Sequence, residues 1–488
     1  MDALEHHLAA PVGRGRRPRG GATGAAGGAP CGDLVAITVA LDGERVADAG
    51  FEAHGCGAAH AAGSAAVGLL RGRPLLDAAR LGAGEIAGAL GGLSPGKLHA
   101  ADLAADALHR ALGGAARDSA ALAPSPGRTL VAMSGGVDSA VAALLSARAG
   151  GEAVAVTLEL WTDPANDAER SCCSAAAVRD ARALAHRMGM PHLTLDLREE
   201  FRAGVVEPWL AGHAAGLTPN PCVRCNGAVR LDAMVALAER LGASVLATGH
   251  YARVAERDHP RGPLLREAAD AGKDQSYALA ALDPTTLAAL RFPLGGLTKS
   301  RVRALAREEG LPVADRPDSQ DLCFLAGTDA AAFRARHGAA RGRAGDVVDV
   351  AGRVLGRHRG HERYTVGQRR GLGVGGGRPL FVLSKDAASN RVVVGPREAL
   401  RTSRVTVRDV RLRRDGARID RVRLRYRARA LAAAIDGDLP AGPHARIEVG
   451  LAEPAAGAAP GQVACLQDGD LVVGWGTIAA GGTAARAA

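Results

Sequence analysis

The sequence predicts a multidomain α/β chain: an N-terminal α+β domain, a doubly wound parallel-sheet domain, a small central β-rich domain and a C-terminal β-barrel. Three observations carry that expectation. At roughly 150 residues per domain, 488 residues divide into two to four domains. From Thr129 apolar strand patterns alternate with helical ones, which argues a parallel sheet with helices on both faces. From about Gly342 the pattern becomes short strands with Gly turns, and from Val405 β-alternation dominates.

The elements follow in order. Residues 1–30 carry Arg14, Arg16, Arg17 and Arg19 with no apolar run behind them, so they read as a flexible leader and not a signal peptide. Residues 31–113 form one α+β unit. Leu34–Leu41 alternates as a strand, Gly43 marks a turn, Arg45–Ala53 is a second strand, and helical patterns occupy Gly57–Leu70, Pro74–Leu81 and Ala100–Leu112. Residues 114–127 are rich in Gly, Ser and Pro and read as a linker.

Residues 128–340 hold strands at Thr129–Met133, Ala153–Glu159, Leu193–Leu197 and Val245–Thr248, with helices at Ser139–Ala149, Ala175–Met188 and Leu231–Leu241. Residues 341–400 hold short strands at Asp346–Val350, Arg353–Leu355, Leu380–Leu383 and Arg391–Val394. In 401–488 the run Arg421–Arg429 puts five Arg on one face of a strand and Val422, Leu424, Tyr426 and Ala428 on the other.

The net charge is +10, which suits a polyanionic partner. Residues 401–430 carry a local net of +9 and residues 341–371 a net of +5, so the remainder is acidic and the basic face belongs to the second half. Of 61 basic residues only four are lysines, and aromatics make up 3%. Arginine count is therefore a weak signal, and a surviving Lys or Tyr is a better pointer. Eight Cys in this length make no disulfide scaffold; a cytoplasmic setting favours catalytic or metal roles. No run of about 20 apolar residues exists, so no membrane span is expected.

Ser134-Gly-Gly-Val-Asp-Ser139 follows an apolar strand and opens a helix. Backbone N–H groups at a helix N-terminus make an anion cradle, and glycines let a phosphate approach. Ser134 and Ser139 can donate hydroxyls, and Asp138 could hold Mg²⁺. The Walker lysine is missing, which argues against a γ-phosphate hydrolase. The element resembles the PP-loop of the ATP-pyrophosphatases, with an adenine nucleotide alpha hydrolase-like fold.

Cys222 and Cys225 form a C-x-x-C, which alone fits half a zinc site, a redox pair or sulfur chemistry. Cys323 lies about 100 residues on, in Asp318-Ser-Gln-Asp-Leu-Cys-Phe324. Two separated thiols, one able to hold a persulfide and one able to attack it, are what sulfur transfer requires. MSGGVDS (133–139), TPNPCVRCN (218–226), ATGHYARV (247–254), GKDQSYAL (272–279), DSQDLCFL (318–325) and GRHRGHERYTVGQRRGLGV (356–374) occur in order. Over about 350 residues the chain resembles the tRNA-specific 2-thiouridylase (MnmA) family.

That resemblance implies ATP-dependent 2-thiolation of the wobble uridine of tRNA. It implies ATP contacts from Ala132, Met133, Ser134, Gly135, Gly136, Val137, Asp138, Ser139, Leu158 and Gly249. Asn220, Pro221 and Cys222 would lie near the target base, and Lys273, Asp274, Gln275, Arg425 and Tyr426 would contact tRNA. Cys225 would be the nucleophile and Cys323 the persulfide carrier. Many members of that family carry Asp at the position of Cys222.

Cys31, Asp33, Cys56 and His99 could form a four-ligand site for zinc or an iron–sulfur cluster. Residues 31–112 resemble the IscU/NifU-type iron–sulfur scaffold, whose third cysteine is replaced here by Ala100. One reading is a unit that takes sulfur from a cysteine desulfurase on Cys31 or Cys56 and feeds Cys323 in cis; the other is a degenerate domain kept for docking or for holding zinc. An alternative reading is a sulfur-relay or iron–sulfur scaffold protein whose second half binds RNA.

Overall fold

The computed structural model describes residues 2–27, 32–163, 174–318, 322–338, 342–375 and 378–480; Cys31, Cys172 and Cys173 lie outside them. The N-terminal unit is an antiparallel sheet of β1 (Ala22–Gly27), β2 (Leu34–Asp42) and β3 (Arg45–His54) in that order. Helices α1 (Ala3–Ala9), α2 (Gly57–Leu70), α3 (Leu75–Ala78), α4 (Ala83–Ala89) and α5 (Leu98–Ser119) accompany it.

Two expectations are corrected here. Much of the leader is ordered: Asp2 and Glu5 cap α1 reciprocally, and β1 pairs with β2 over its whole length. The small side chains that suggested a loose segment let β1 press on α5. A Cβ on Gly24 would stand 2.2 Å from the Ala107 carbonyl. The linker is also shorter than expected, because α5 runs to Ser119 and the next strand starts at Ser125. Between them Ala120 and Leu122 are buried, and the Leu122 N–H donates to the Arg240 carbonyl (3.0 Å).

The parallel-sheet unit comprises β4 (Ser125–Ala132), α6 (Val137–Arg148), β5 (Ala153–Glu159), α7 (Ala175–Arg187), β6 (His192–Asp196), α8 (Arg198–Phe201), α9 (Glu207–Ala214), α10 (Pro221–Cys225), α11 (Leu231–Arg240) and β7 (Ala243–Thr248). The short strands β8 (Arg253–Ala255) and β9 (Leu264–Arg266) leave the sheet, which resumes with α12 (Pro284–Ala289), β10 (Leu290–Arg291), α13 (Lys299–Glu308) and α14 (Ala330–His337). The strand order is β10-β7-β4-β5-β6, all parallel. β5 is buried along its whole length, which suits its largely apolar sequence, Thr157 and Glu159 excepted. Val154 and Val156 face one core with α11, while Ala153 and Ala155 face another with α6, α7 and α13.

The N-terminal unit docks on the edge strand β6 through α5. His109 Nδ1 lies 2.7 Å from the His192 carbonyl. A Cβ on Gly113 would stand 1.9 Å from the Thr194 carbonyl, and Arg117 donates to the Asp196 carbonyl (3.3 Å). Four residues of helix rise about 6 Å and two residues of strand about 6.6 Å, so α5 and β6 run side by side in the same direction. Gly113 against β6 and Ala107 against Gly24 of β1 let one helix fit between two sheets. Arg110 pairs bidentately with Glu159 at the end of β5 (2.6 and 2.8 Å), and Arg182 with Asp106 (2.8 Å), all four side chains largely buried.

The central unit is a sheet of β11 (Gly345–Val348), β12 (Val354–His358), β13 (Phe381–Asp386) and β14 (Arg391–Gly395), ordered β12-β11-β14-β13. The last unit holds β15 (Arg401–Leu412), β16 (Arg421–Arg423), β17 (Leu431–Ile435), β18 (Gly442–Ala456), β19 (Val463–Asp468) and β20 (Leu471–Ile478). They run β15-β18-β17-β16-β19-β20, β15 pairs with β20 to close a barrel, and β9 and β8 extend its β20 edge. The long arginine-faced strand is corrected: β16 stops at Arg423, and Arg427 takes a φ of 60°. Arg423 is drawn inward by Asp274 (2.7 Å) and Glu267, so the alternation ends where a buried ion pair begins.

Candidate functional site

The chain passes from β4 to β5 and β6 on one side, then returns to β7 on the other. Such a reversal opens a crevice at the carboxyl ends of the strands, where α/β sheets bind ligands. Residues 133–136 turn there between β4 and α6. Gly135 has a φ of 74°, which favours glycine. Ser139 Oγ accepts from the Ser134 N–H (3.1 Å) and donates to the Gly136 carbonyl (3.0 Å), tying the loop to the first turn of α6. Gly249, just after β7, must be small, because a Cβ would stand 2.8 Å from the Ser139 nitrogen. Leu158 is buried near the carboxyl end of β5.

Asp138 is not an open metal ligand in this arrangement. Lys299 donates to both of its oxygens (2.7 Å each) and the Tyr251 hydroxyl to one (2.8 Å). Mg²⁺ at this carboxylate would have to displace an ammonium already there. Lys299 also contacts Asp318 (2.8 Å), which takes Lys273 (2.7 Å) and Arg303 (2.9 Å). Burial would raise the Asp318 pKa, but hydrogen bonds from Lys273 and Lys299 outweigh it and hold it at about 2. Arg316 donates to the Gly135 carbonyl (2.7 Å). Sequence reading missed Lys299 and Arg316 as site residues. The scarcity of lysine was the signal that could have found Lys299.

The candidate thiols lie on α10 and on the turn that opens at Cys323. Asn220 caps α10, accepting from the Cys222 N–H (3.1 Å), and Pro221 occupies the first turn. Cys222 is exposed and Cys225 is 8% exposed. Cys323 is half-buried and opens a short turn with Phe324. Cys225 is part of the main buried core and Cys323 packs against that core. The Phe324 ring lies 5.3 Å from Trp209, 5.1 Å from Phe333 and 6.0 Å from Phe201, just beyond β6. Burial pushes the Cys465 thiol up to about 12, which leaves it inert to exchange.

The loop before α10 is held by the other units. The Thr218 N–H donates to the Pro460 carbonyl (2.8 Å), Gln462 to the Thr218 carbonyl (2.6 Å), and Lys385 to the Leu217 carbonyl (3.1 Å).

The residues expected to meet tRNA divide. Tyr426 is 41% exposed, and Arg425 lies beside it, donating to the Gly457 carbonyl. Lys273 is engaged with Asp318, and Gln275 Oε1 accepts the Tyr251 N–H (2.9 Å). Asp274 is corrected: it is 8% exposed and bridges the parallel-sheet unit to Arg423 of the barrel, so it is structural. The basic face is corrected as well. Many barrel arginines are spent on acids, such as Arg404 on Asp436, Arg418 on Asp468 and Arg429 on Glu453. Arg359, Arg363, Arg369 and Arg370 of the central unit are exposed, with no carboxylate within 4.0 Å among the described residues.

Asp33, Cys56 and His99 place an oxygen, a sulfur and a nitrogen within 4.8 Å of one another. Asp33 ends the loop before β2, Cys56 caps α2, and His99 lies in the first turn of α5. Asp33 accepts the Cys56 N–H (2.8 Å), which lowers its pKa, and the Cys56 thiol (3.2 Å); His99 Nε2 is 3.1 Å away. A Cβ on Gly55 would stand 2.0 Å from Asp33 Oδ1, so only glycine admits this contact. The donor set suits zinc or iron. Ala100 is fully buried and offers no ligand, and Cys31 lies outside the described residues. Cys56, one of the two thiols expected to feed Cys323, sits at the N-terminal end of α5, whose far end contacts Asp196 and Glu200 (3.3 Å each).

Among the described residues no helix is long and apolar enough to cross a membrane. Residues 2–117 match the NifU-like N terminal domain and 127–327 the tRNA methyl transferase HUP domain. Residues 333–396 match the tRNA methyl transferase PRC-barrel domain and 402–478 the aminomethyltransferase beta-barrel domain. The bifunctional protein NifU/MnmA of Rubrobacter xylanophilus is 44% identical over 487 residues, 97% of each chain. The tRNA-specific 2-thiouridylase MnmA of Azorhizobium caulinodans is 52% identical over 59% of this chain and 74% of its own, and that of Acidithiobacillus ferrooxidans 43% identical over 72% and 98%. With near-complete coverage of a fused relative and a match to each of its units, the chain belongs to the bifunctional NifU/MnmA family.

Proposed function

We propose that this chain is a tRNA-uridine 2-sulfurtransferase, which uses ATP to replace the C2 oxygen of the wobble uridine by sulfur. The observation that supports the reading is the Ser134–Ser139 loop, which opens α6 at the carboxyl end of β4 with Lys299 on Asp138, in a chain that also carries Cys225 and Cys323. The loop N–H groups and Lys299 take the phosphates. The C2 oxygen attacks the α-phosphate and pyrophosphate leaves. The outer sulfur of a Cys323 persulfide attacks C2, and AMP departs. The Cys225 thiolate then attacks the inner sulfur, releasing the thiocarbonyl and leaving a Cys225–Cys323 disulfide. A thiol reductant reopens that bond for the next turnover. The aromatic cover around Phe324 keeps water from the adenylated base.

The exposed arginines of the central unit and Tyr426 grip the tRNA, phosphate by charge and base by stacking. A cysteine desulfurase or another persulfide donor supplies the sulfur. The test is mass spectrometry of tRNA nucleosides after reaction with ATP and a persulfide donor. The expected product is 2-thiouridine, formed with tRNA-dependent pyrophosphate release. Pyrophosphate release driven by a small metabolite without tRNA would overturn the reading.

A further inference from the structure

We propose that sulfur held at the Asp33–Cys56–His99 centre of one chain passes to Cys323 of a second copy of the chain. This rests on the sulfurtransferase reading above and on Cys56 as a sulfur carrier.

The geometry begins with α5. His99 marks the N-terminal centre, within 4.8 Å of the Cys56 sulfur. Arg117, on the same helix, contacts Asp196 at the carboxyl end of β6 and Glu200 in α8 (3.3 Å each). Phe201 follows Glu200, and its ring packs on Phe324, next to Cys323. From residue 99 to residue 117 a helix advances about 27 Å. A persulfide reaches only a few ångströms, so the two sulfurs of one docked chain do not meet.

Nor is the N-terminal unit free to swing. Ala120 and Leu122 of its connector are buried, and the N–H groups of Leu122 and Ser125 donate to the Arg240 and Gly242 carbonyls. Arg110–Glu159 and Asp106–Arg182 fix α5 to the sheet as buried pairs, and separating them would strand charges.

The Cys56 centre faces outward instead. Leu34 beside Asp33 is 40% exposed and Leu98 beside His99 is 45% exposed. Leu8 of α1, 43% exposed, borders the start of α2 at Gly57. Exposed leucines adjoining Asp33, His99 and the start of α2 give this end of the unit an apolar surface open to a partner. The acceptor this activity requires is Cys323, and the copy within reach belongs to another molecule.

The step is an exchange without net oxidation. The Cys323 thiolate attacks the outer sulfur of the Cys56 persulfide, whose S–S bond breaks. The electron pair leaves on the Cys56 sulfur, which takes a proton from solvent, and a new S–S bond forms on Cys323. Inorganic polysulfide, or a protein persulfide, loads Cys56 by the same reaction.

The test uses full-length chains. A Cys323→Ala chain is loaded with inorganic polysulfide, desalted, and mixed with an unloaded Cys56→Ala chain, ATP and tRNA. The expected result is 2-thiouridine at about tenfold or more over a loaded donor carrying both Cys56→Ala and Cys323→Ala. Doubling both chains raises the initial rate about fourfold, as a bimolecular step does. Equal yield from the doubly substituted donor overturns Cys56 as the source. No product from the mixture, with wild-type transfer per enzyme independent of concentration, overturns the transfer between copies. The Cys56→Ala chain loaded directly with polysulfide separates the two levels: if it makes no 2-thiouridine, the sulfurtransferase reading itself fails.

Discussion

The Asp33–Cys56–His99 centre and the Cys225–Cys323 centre place cysteine sulfur in opposite surroundings. At the first, Cys56 touches a carboxylate, and exposed leucines flank Asp33 and His99 in sequence. At the second, Cys225 is buried and Cys323 half-buried, next to Phe324, whose ring packs on Phe201, Trp209 and Phe333. An open thiol with polar neighbours suits exchange with a partner. A thiol under aromatic rings suits a reaction that water would spoil. Helix α5 joins the centres and keeps them apart, so the fusion supplies fixed geometry and not a flexible tether.

The largest expected effect separates the two directly. Cys323→Ala lowers thiolation by at least about 10³-fold, because it removes the sulfur carrier itself. Cys56→Ala, supplied with a small-molecule persulfide, stays within about twofold of wild type, because that donor bypasses the N-terminal centre. Nucleoside mass spectrometry reads both; a large loss in the second variant would merge the two centres into one.

The next effect concerns the docking. Arg110→Ala leaves Glu159 buried without its partner and costs about 3 kcal/mol in urea unfolding. Arg110→Met combined with Glu159→Leu recovers most of it. If the single change costs nothing, the docked interface is weaker than its geometry.

A smaller effect compares the two arginine regions. Arg369→Ser with Arg370→Ser lowers the salt slope of tRNA binding by up to about 2, one for each phosphate that is no longer neutralised. Arg404→Ser with Arg429→Ser, both already paired with acids, leaves the slope nearly unchanged. Filter binding across a salt series distinguishes them.

The smallest is a pH effect at the ATP crevice. Asp318 has a folded pKa of about 2, below its usual value. Its contribution is therefore present above about pH 4 and lost as pH falls toward 2. Partial exposure limits it to about 1 kcal/mol or less. Thermal unfolding of wild type should lose this increment over that range, and Asp318→Asn should not.

Local patterns were legible where one element decides its own fate. The strand Ala153–Glu159 and the helix Gly57–Leu70 have the bounds their periodicity predicts, and Ser134–Ser139 forms the expected strand–turn–helix. Arg421–Arg429 was misleading because alternation records which side chains could share a face, not which acids wait across the interface. Residues 3–27 were misread because Gly and Ala signal looseness in isolation, yet permit close packing once α5 lies against them.

By itself the sequence determined the four-unit order, the phosphate loop, the paired thiols and the Asp33, Cys56 and His99 ligand types. These depend on short-range spacing and periodicity, which the chain states explicitly. Only the tertiary structure decided that Lys299 neutralises Asp138, that Arg423 pairs inward with Asp274, and that α5 runs from the Asp33–Cys56–His99 centre to the carboxyl end of β6. Each depends on groups far apart in sequence, whose meeting is set by sheet order and helix direction and leaves no local pattern to read.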